Sequence, residues 1–185
     1  MEENIVLDSV RARLLFSGLK ELDKHGVSDF SLRRVAQDAG VSCAAPYRHF
    51  KDKDELIGAV IEFVLDGWTL LAGQISDVFA DEPRTLISEL AVAGLRFWIG
   101  NGNFRTVIVA SATLSKGEKG TLSTFDRPIL SAIEKYAQES DNNTKDRLSF
   151  KILSMIYGAV MLVDGGYEST DGAAEELRSA ILSEL

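Results

Sequence analysis

The sequence predicts an all-α protein with a small helical head followed by a larger helical body. Three observations carry that reading. Apolar residues recur at helical spacing along most of the chain, only 3 prolines interrupt 185 residues, and short capping or breaking sequences bound each periodic run. Apolar residues make up 45% of the chain, enough for a substantial core and too many for a disordered polymer. The expected division is 1–52 for the head and 53–185 for the body, without internal repeats or low-complexity segments.

In the first helix, expected over 5–25, Leu7, Val10 and Leu14 form one stripe that Leu15, Leu19 and Leu22 widen, and His25-Gly26 ends it. Val27 and Phe30 bracket the following link and are expected to plug the small core. Ser31 is placed to cap a second helix with Leu32, Val35, Ala36 and Ala39 on its apolar face. Gly40 stands where that helix must stop, Val41 is the plug of the turn, and Ser42 is placed to cap a third helix reaching about His49. Asp52 then caps a long fourth helix through about Phe79, with Gly67 and Gly73 as candidate interruptions.

Asp81-Glu82-Pro83 opens the next helix, expected over 84–99, and Asn101-Gly102-Asn103 breaks it. A short apolar helix is expected over 104–114, a loop over 115–124, and a helix over 125–138 whose regular start lies near Pro128. A long apolar helix over 144–163 ends at Asp164-Gly165-Gly166, and 171–184 forms the last.

Composition removes several function classes. No uninterrupted apolar run reaches the ~18 residues that span a bilayer. The N-terminus lacks a basic-then-apolar leader pattern, so a cytoplasmic protein is expected. A single cysteine permits no internal disulfide, and no Cys/His cluster has metal-ligand spacing, so neither metal nor cofactor is expected. No nucleophile elbow, phosphate loop or carboxylate constellation points to catalysis; the Gly-x-Gly at 100–102 lacks a preceding strand and a third glycine.

Charge points elsewhere. The chain carries a net charge of −8, yet residues 31–53 hold Arg33, Arg34, Arg48, Lys51 and Lys53 against only Asp38 and Asp52. A local basic stripe on an acidic protein is the footprint of one small surface that meets a polyanion. Two short helices joined by a Gly-containing turn form a helix-turn-helix, whose second helix lies in the DNA major groove.

The run SLRRVAQDAGVSCAAPYRHFKDKDEL resembles the DNA-binding signature of the TetR (tetracycline-repressor) family of bacterial regulators. The A-x-x-A-G-V-S core, the Y-x-H-F ending and K-D-K-x-x-L stand in the family's order, and the matching block covers roughly residues 8–60. The resemblance implies that Ser31, Tyr47, His49 and Lys53 hold phosphates, that Arg33 reaches a base edge, and that Cys43, Ala44 and Ala45 face bases, with the small Ser42 also at the DNA. Pro46 leaves the course of the third helix open.

The resemblance further implies a homodimer on a palindromic operator, and a body that encloses a small-molecule effector. Trp98, Phe104 and Tyr157 are the candidate cavity walls. Leu148, Ile152, Met155 and Ala159, with Leu177 and Ile181 of the last helix, are the candidate dimer interface. The expected function is a ligand-responsive transcriptional repressor; the alternative is a DNA-binding regulator controlled by a protein partner.

Overall fold

The computed structural model describes residues 9–102 and 121–185, with side chains in the second segment from Thr124 onward. Every regular element among them is helical: α1 (Val10–His25), α2 (Leu32–Asp38), a 3₁₀ turn (Pro46–Arg48), α3 (Lys53–Val78), α4 (Pro83–Gly100), α5 (Thr121–Tyr136), α6 (Asn142–Asp164) and α7 (Thr170–Glu184). The all-α expectation therefore holds. The helix expected over 104–114 and residues 115–120 of the loop expected over 115–124 lie outside the described residues, whereas 121–124 are helical.

The described residues form two compact units, 9–66 with Gly102, and 67–101 with 121–185. The division between these units falls inside α3.

In the first unit, Leu14 and Leu22 of α1, Val35 and Ala36 of α2, and Leu56 and Val60 of α3 share one core. Ser9 caps α1 through a hydrogen bond from the Ala12 N–H. Gly18 allows α1 and α3 to come close, since a Cβ there would stand 2.9 Å from Val60 Cγ2. Beside it Phe16 and Phe63 pack edge to face at 5.1 Å. Asp52 caps α3 as expected, accepting from the Glu55 N–H at 2.9 Å. Phe30 is buried, but Val27 is exposed rather than a core plug. What ties Val27 down is its backbone carbonyl, which accepts from Lys53 Nζ at 2.8 Å.

In the second unit α4 packs against α5, α6 and α7. Its buried residues lie all round the helix, including Ile87, Leu90, Ala91, Leu95 and Trp98, as a central helix requires. Ile129 and Ile133 of α5, Ile152 and Ile156 of α6, and Leu177 and Ile181 of α7 complete the core. A bidentate pair, Arg178 Nε and Nη2 to the Glu89 carboxylate at 2.8 and 3.0 Å, locks α7 to α4.

Two helix boundaries differ from expectation. Gly67 and Gly73 do not interrupt α3; neither has a neighbour that a Cβ would meet, and the flanking Leu65, Trp68 and Ala72 hold the helix by burial. The helix over 125–138 instead begins at Thr121 and keeps Pro128 inside it. Phe125 and Ile129, both fully buried, anchor α5 on either side of that proline. By length and composition alone α3 is apolar enough to cross a membrane; Leu56, Val60, Val64, Trp68 and Ala72 place that apolarity in the cores of the two units.

Replacing Gly18 by Leu should lower stability by about 1–3 kcal/mol, because the added side chain forces α1 away from α3. Urea unfolding of the purified variant measures this, and an unchanged midpoint would mean that the close approach adds nothing to stability.

Candidate nucleic-acid interface

The interface is built on α2. Ser31 has extended backbone angles and its Oγ accepts from the Arg34 N–H at 3.4 Å, which makes it the N-cap the sequence indicates. Val35, Ala36 and Ala39 are buried on one face. Gly40 adopts φ +65°, and two bonds close the helix: Gly40 N–H to Gln37 O at 3.2 Å and Val41 N–H to Ala36 O at 2.9 Å. This pair of bonds is the Schellman pattern, which glycine at positive φ allows without a Cβ clash.

After the turn the chain departs from expectation. Ser42 does not begin an α-helix that reaches His49. Residues 42–45 form a turn, closed by Ala45 N–H to Ser42 O at 2.9 Å, and the helical piece is the 3₁₀ segment Pro46–Arg48. The cause is Pro46, which lacks an N–H and whose ring would collide with the Ser42 carbonyl in a continuous α-helix. As the first residue of a new turn it fits without conflict. Pro46 and Phe50 are buried, and the Arg11 guanidinium stands 5.5 Å from the Phe50 ring centre.

This anchoring leaves Ser42, Cys43, Ala44, Tyr47, Arg48 and His49 exposed on one short segment, with Ala45 half-buried; Tyr47 is 62% exposed. Arg33 is exposed on α2, and Ser31 is half-buried at its start. Of the expected phosphate contacts, Lys53 is already engaged with Val27 O, which leaves two of its three donors for another acceptor. Arg48 is not among the residues the family signature singles out. Its place between Tyr47 and His49 in the basic stripe is the signal in the sequence that points to it.

A buried carboxylate positions α2. Glu21 of α1 is 7% exposed, and its Oε1 accepts from the Ser31 N–H at 3.0 Å and from Arg34 Nε at 2.8 Å. Arg34 also donates to the Asp29 carboxylate at 3.2 Å and to the Asp29 carbonyl. The Glu21 hydrogen bond, foremost among these partners, pushes the guanidinium's pKa further up. Arg34 thus belongs to the scaffold. At the other end of α2, Asp38 accepts from Ser17 Oγ at 2.7 Å and Lys20 Nζ at 3.3 Å, and these bonds hold its carboxyl below its ordinary value.

The residues expected in the body separate into distinct environments. Trp98 is fully buried, and its indole N–H has no hydrogen-bond partner among the described residues. Tyr157 is half-buried and donates to Asp126 Oδ1 at 2.8 Å. The Trp98 and Tyr157 ring centres lie 6.1 Å apart, and Phe104 lies outside the described residues. A separate cavity of about 270 Å³ is lined by Tyr136, Ser140, Thr144, Arg147 and Lys151 among others, and reaches neither Trp98 nor Tyr157.

Of the residues expected to face a partner subunit, Ile152, Leu177 and Ile181 are buried inside the second unit, whereas Leu148, Met155 and Ala159 are half-buried. The large apolar side chains that α6 and α7 expose are Phe150, Met161, Leu162 and Leu182. A period-3.6 stripe marks every apolar residue alike. It does not tell the side of α6 that faces α4 from the side that faces solvent.

Comparison with known proteins places this geometry. Residues 14–60 match the family model described as bacterial regulatory proteins, tetR family. Over 58 residues the chain is 40% identical to an HTH-type transcriptional regulator of Staphylococcus aureus, a match that covers 31% of each protein. The chain therefore spans about a third of the length of the curated relatives it matches. The whole fold is similar to a transcriptional regulator (TerR/AcrR family) from Aquifex aeolicus, with TM-score 0.69, 19% identity, and coverage of 96% of this chain and 100% of the other. It is also similar to the transcriptional regulator FadR from Bacillus subtilis, solved in complex with stearoyl-CoA, with TM-score 0.66, 12% identity, and coverage of 94% and 98%.

Glu21→Ala should lower the free energy of unfolding by about 1–3 kcal/mol, since it strands the Ser31 N–H and one side of Arg34. Glu21→Gln should lose less, because an amide oxygen still accepts from Ser31. Chemical denaturation of both variants checks the order; equal losses would show that acceptance at Ser31 is immaterial.

Proposed function

We propose that this chain, whose N-terminal head belongs to the tetR family of bacterial regulatory proteins, is a cytoplasmic transcriptional repressor that acts as a homodimer on a palindromic operator. The observation that carries the reading is the exposed segment from Ser42 to His49, held from behind by Pro46 and Phe50 and flanked by the exposed Arg33. Cys43, Ala44 and Ala45 are small enough for close approach to base edges, and their apolar surface suits thymine methyls. Ser31, Tyr47, Arg48, His49 and the spare donors of Lys53 face phosphates and fix the register. Arg33 reaches a base edge. This division gives specificity to the small side chains and affinity to the cations.

A single short recognition segment reads few bases, so two-fold pairing supplies the remainder of the site. The exposed Phe150, Met161, Leu162 and Leu182 support α6 and α7 as the pairing surface. Among the six residues assigned to it from sequence, Leu148, Met155 and Ala159 suit its edge, and Ile152, Leu177 and Ile181 support it from beneath. Trp98 and Tyr157 line the effector site. An effector releases the operator only if it binds the DNA-incompetent conformation better than the competent one. Helix α3 has residues in both units and is the covalent route for that coupling. The half-satisfied polar groups in the body favour a small molecule over control by a protein partner alone.

Arg48→Ala should weaken operator binding and flatten the plot of log affinity against log salt by roughly 0.9, the share of a single phosphate neutralised by one cation. Tyr47→Phe should weaken binding with the salt slope retained. Fluorescence anisotropy on an operator duplex across a salt series reads both. Unchanged affinity in the two variants would overturn the assignment of this segment to DNA.

A further inference from the structure

Among its described residues the second unit holds one buried polar group without a partner and, across one tyrosine from it, a carboxylate with a single hydrogen bond. Trp98, fully buried on α4, has an indole N–H without a partner there. The Asp126 carboxylate on α5 accepts from the Tyr157 hydroxyl on α6 at 2.8 Å, and no cation among the described residues pairs with it. Around these groups stands a cluster of rings. Trp98 lies 4.6 Å from Phe125 and 6.1 Å from Tyr157 between ring centres, and Phe97 lies 5.4 Å from Trp68 and 6.3 Å from Trp98. Trp68 is satisfied, since its indole donates to the Phe125 carbonyl at 2.9 Å. Trp68, Trp98 and Phe125 form a sealed floor, whereas Phe97, Asp126 and Tyr157 keep part of their surface exposed.

We propose that Asp126, bonded to the Tyr157 hydroxyl at the edge of this ring cluster, receives the cationic head of an apolar organic amine. A half-buried carboxylate without a counter-ion among the described residues is a poor end state for folding and a good one for recognition, because a cationic ligand brings the opposite charge. The quadrupoles of the neighbouring rings attract the same cation and repel a carboxylate or phosphate. The indole N–H of Trp98 then donates to an acceptor on the body of the ligand. As an identification of the effector this rests on the regulator reading above; as a binding site it stands without it.

Burial pushes the Asp126 carboxyl up to about 6, against a smaller opposing effect of the Tyr157 hydrogen bond. The sign follows directly. Below that value the carboxyl takes a proton and loses its attraction for a cation, so affinity falls roughly tenfold per pH unit, and it levels off above it. Tyr157 stays neutral throughout, since burial and the Asp126 charge both raise its hydroxyl. Three of the other charges on the two helices packed against α5 are engaged elsewhere: Arg96 of α4 with Asp171, Glu89 of α4 with Arg178, and Lys151 of α6 with Glu184.

The test is titration of the full chain with benzyltrimethylammonium, with its uncharged carbon analogue neopentylbenzene as control. The signal is the emission of Trp68 and Trp98, the 2 tryptophans of the chain, both in the ring cluster. Saturable binding of the cation is expected at pH 7.5, weakened about tenfold at pH 5. Asp126→Asn should weaken it at least about tenfold at pH 7.5 and abolish the pH dependence, while binding of the neutral analogue stays the same. Asn at 126 removes a charge that burial disfavours, so the variant is expected to fold at least as well as the parent, which circular dichroism checks. Tyr157→Phe keeps the carboxylate and should retain the binding within a few fold.

Equal affinity of parent and Asp126→Asn, a flat pH profile, or no saturable response from folded parent protein would each overturn the proposal. Operator binding measured without amine keeps the two readings apart. Binding to DNA but not to the cation defeats this assignment alone, and the reverse defeats the regulator reading alone.

Discussion

The carboxylate of Glu21 is the constraint on which the candidate DNA-binding surface depends. It is nearly buried on α1, yet it meets the first N–H of the next helical segment at Ser31 and the guanidinium of Arg34 one turn later. A carboxylate so placed is tolerated only when it is hydrogen-bonded, and these donors supply that at Oε1. The consequence is geometric. With both contacts made, the start of α2 is fixed in direction, Gly40 then sets where α2 ends, and Pro46 sets how the chain leaves the turn. The side chains from Ser42 to His49 inherit their positions from this sequence of fixed points.

The second unit rests on a different principle. Its centre is α4, surrounded by α5, α6 and α7, and the core is predominantly apolar. Against that background the Trp98 indole N–H stands out because it has no partner among the described residues, and Asp126 because its bond from Tyr157 is not backed by a described cation. Buried polar groups in folded proteins are nearly always paired, so departures from pairing mark places where something other than stability has shaped the sequence. The contrast with Arg178 and Glu89 is instructive: that pair is bidentate and complete, and it serves only to join two helices.

Much of this is legible in the sequence because capping is local chemistry. Ser31, Gly40 and Asp52 cap or end helices at the positions their residue types indicate, since each acts on residues three or four away. Pro128 misleads for a related reason: its local preference is to begin a helix, but burial of Phe125 and Ile129 on either side overrides it. Gly67 and Gly73 likewise yield to the packing of α3. The helical piece after the turn is shorter than the Ser42 cap signal suggests, because the missing N–H of Pro46 outweighs it. The scaffold role of Arg34 and the environment of Asp126 are not legible, because each depends on a partner distant in the chain: Glu21 for the first, Tyr157 for the second. Helical periodicity finds the apolar stripes of α6 and α7, but it contains nothing that separates an inward residue such as Ile152 from an outward one such as Phe150.

The central claim is that the exposed segment at Ser42–His49, presented by the Glu21 scaffold, binds duplex DNA at a specific two-fold site. The most direct measurement is a nuclease footprint of the ligand-stripped protein on the DNA upstream of its own gene, repeated across a salt series. The account predicts a protected palindrome whose two halves lie one helical turn apart, with affinity that falls steeply as salt rises. No protection there, and none on genomic fragments at low salt, would contradict it.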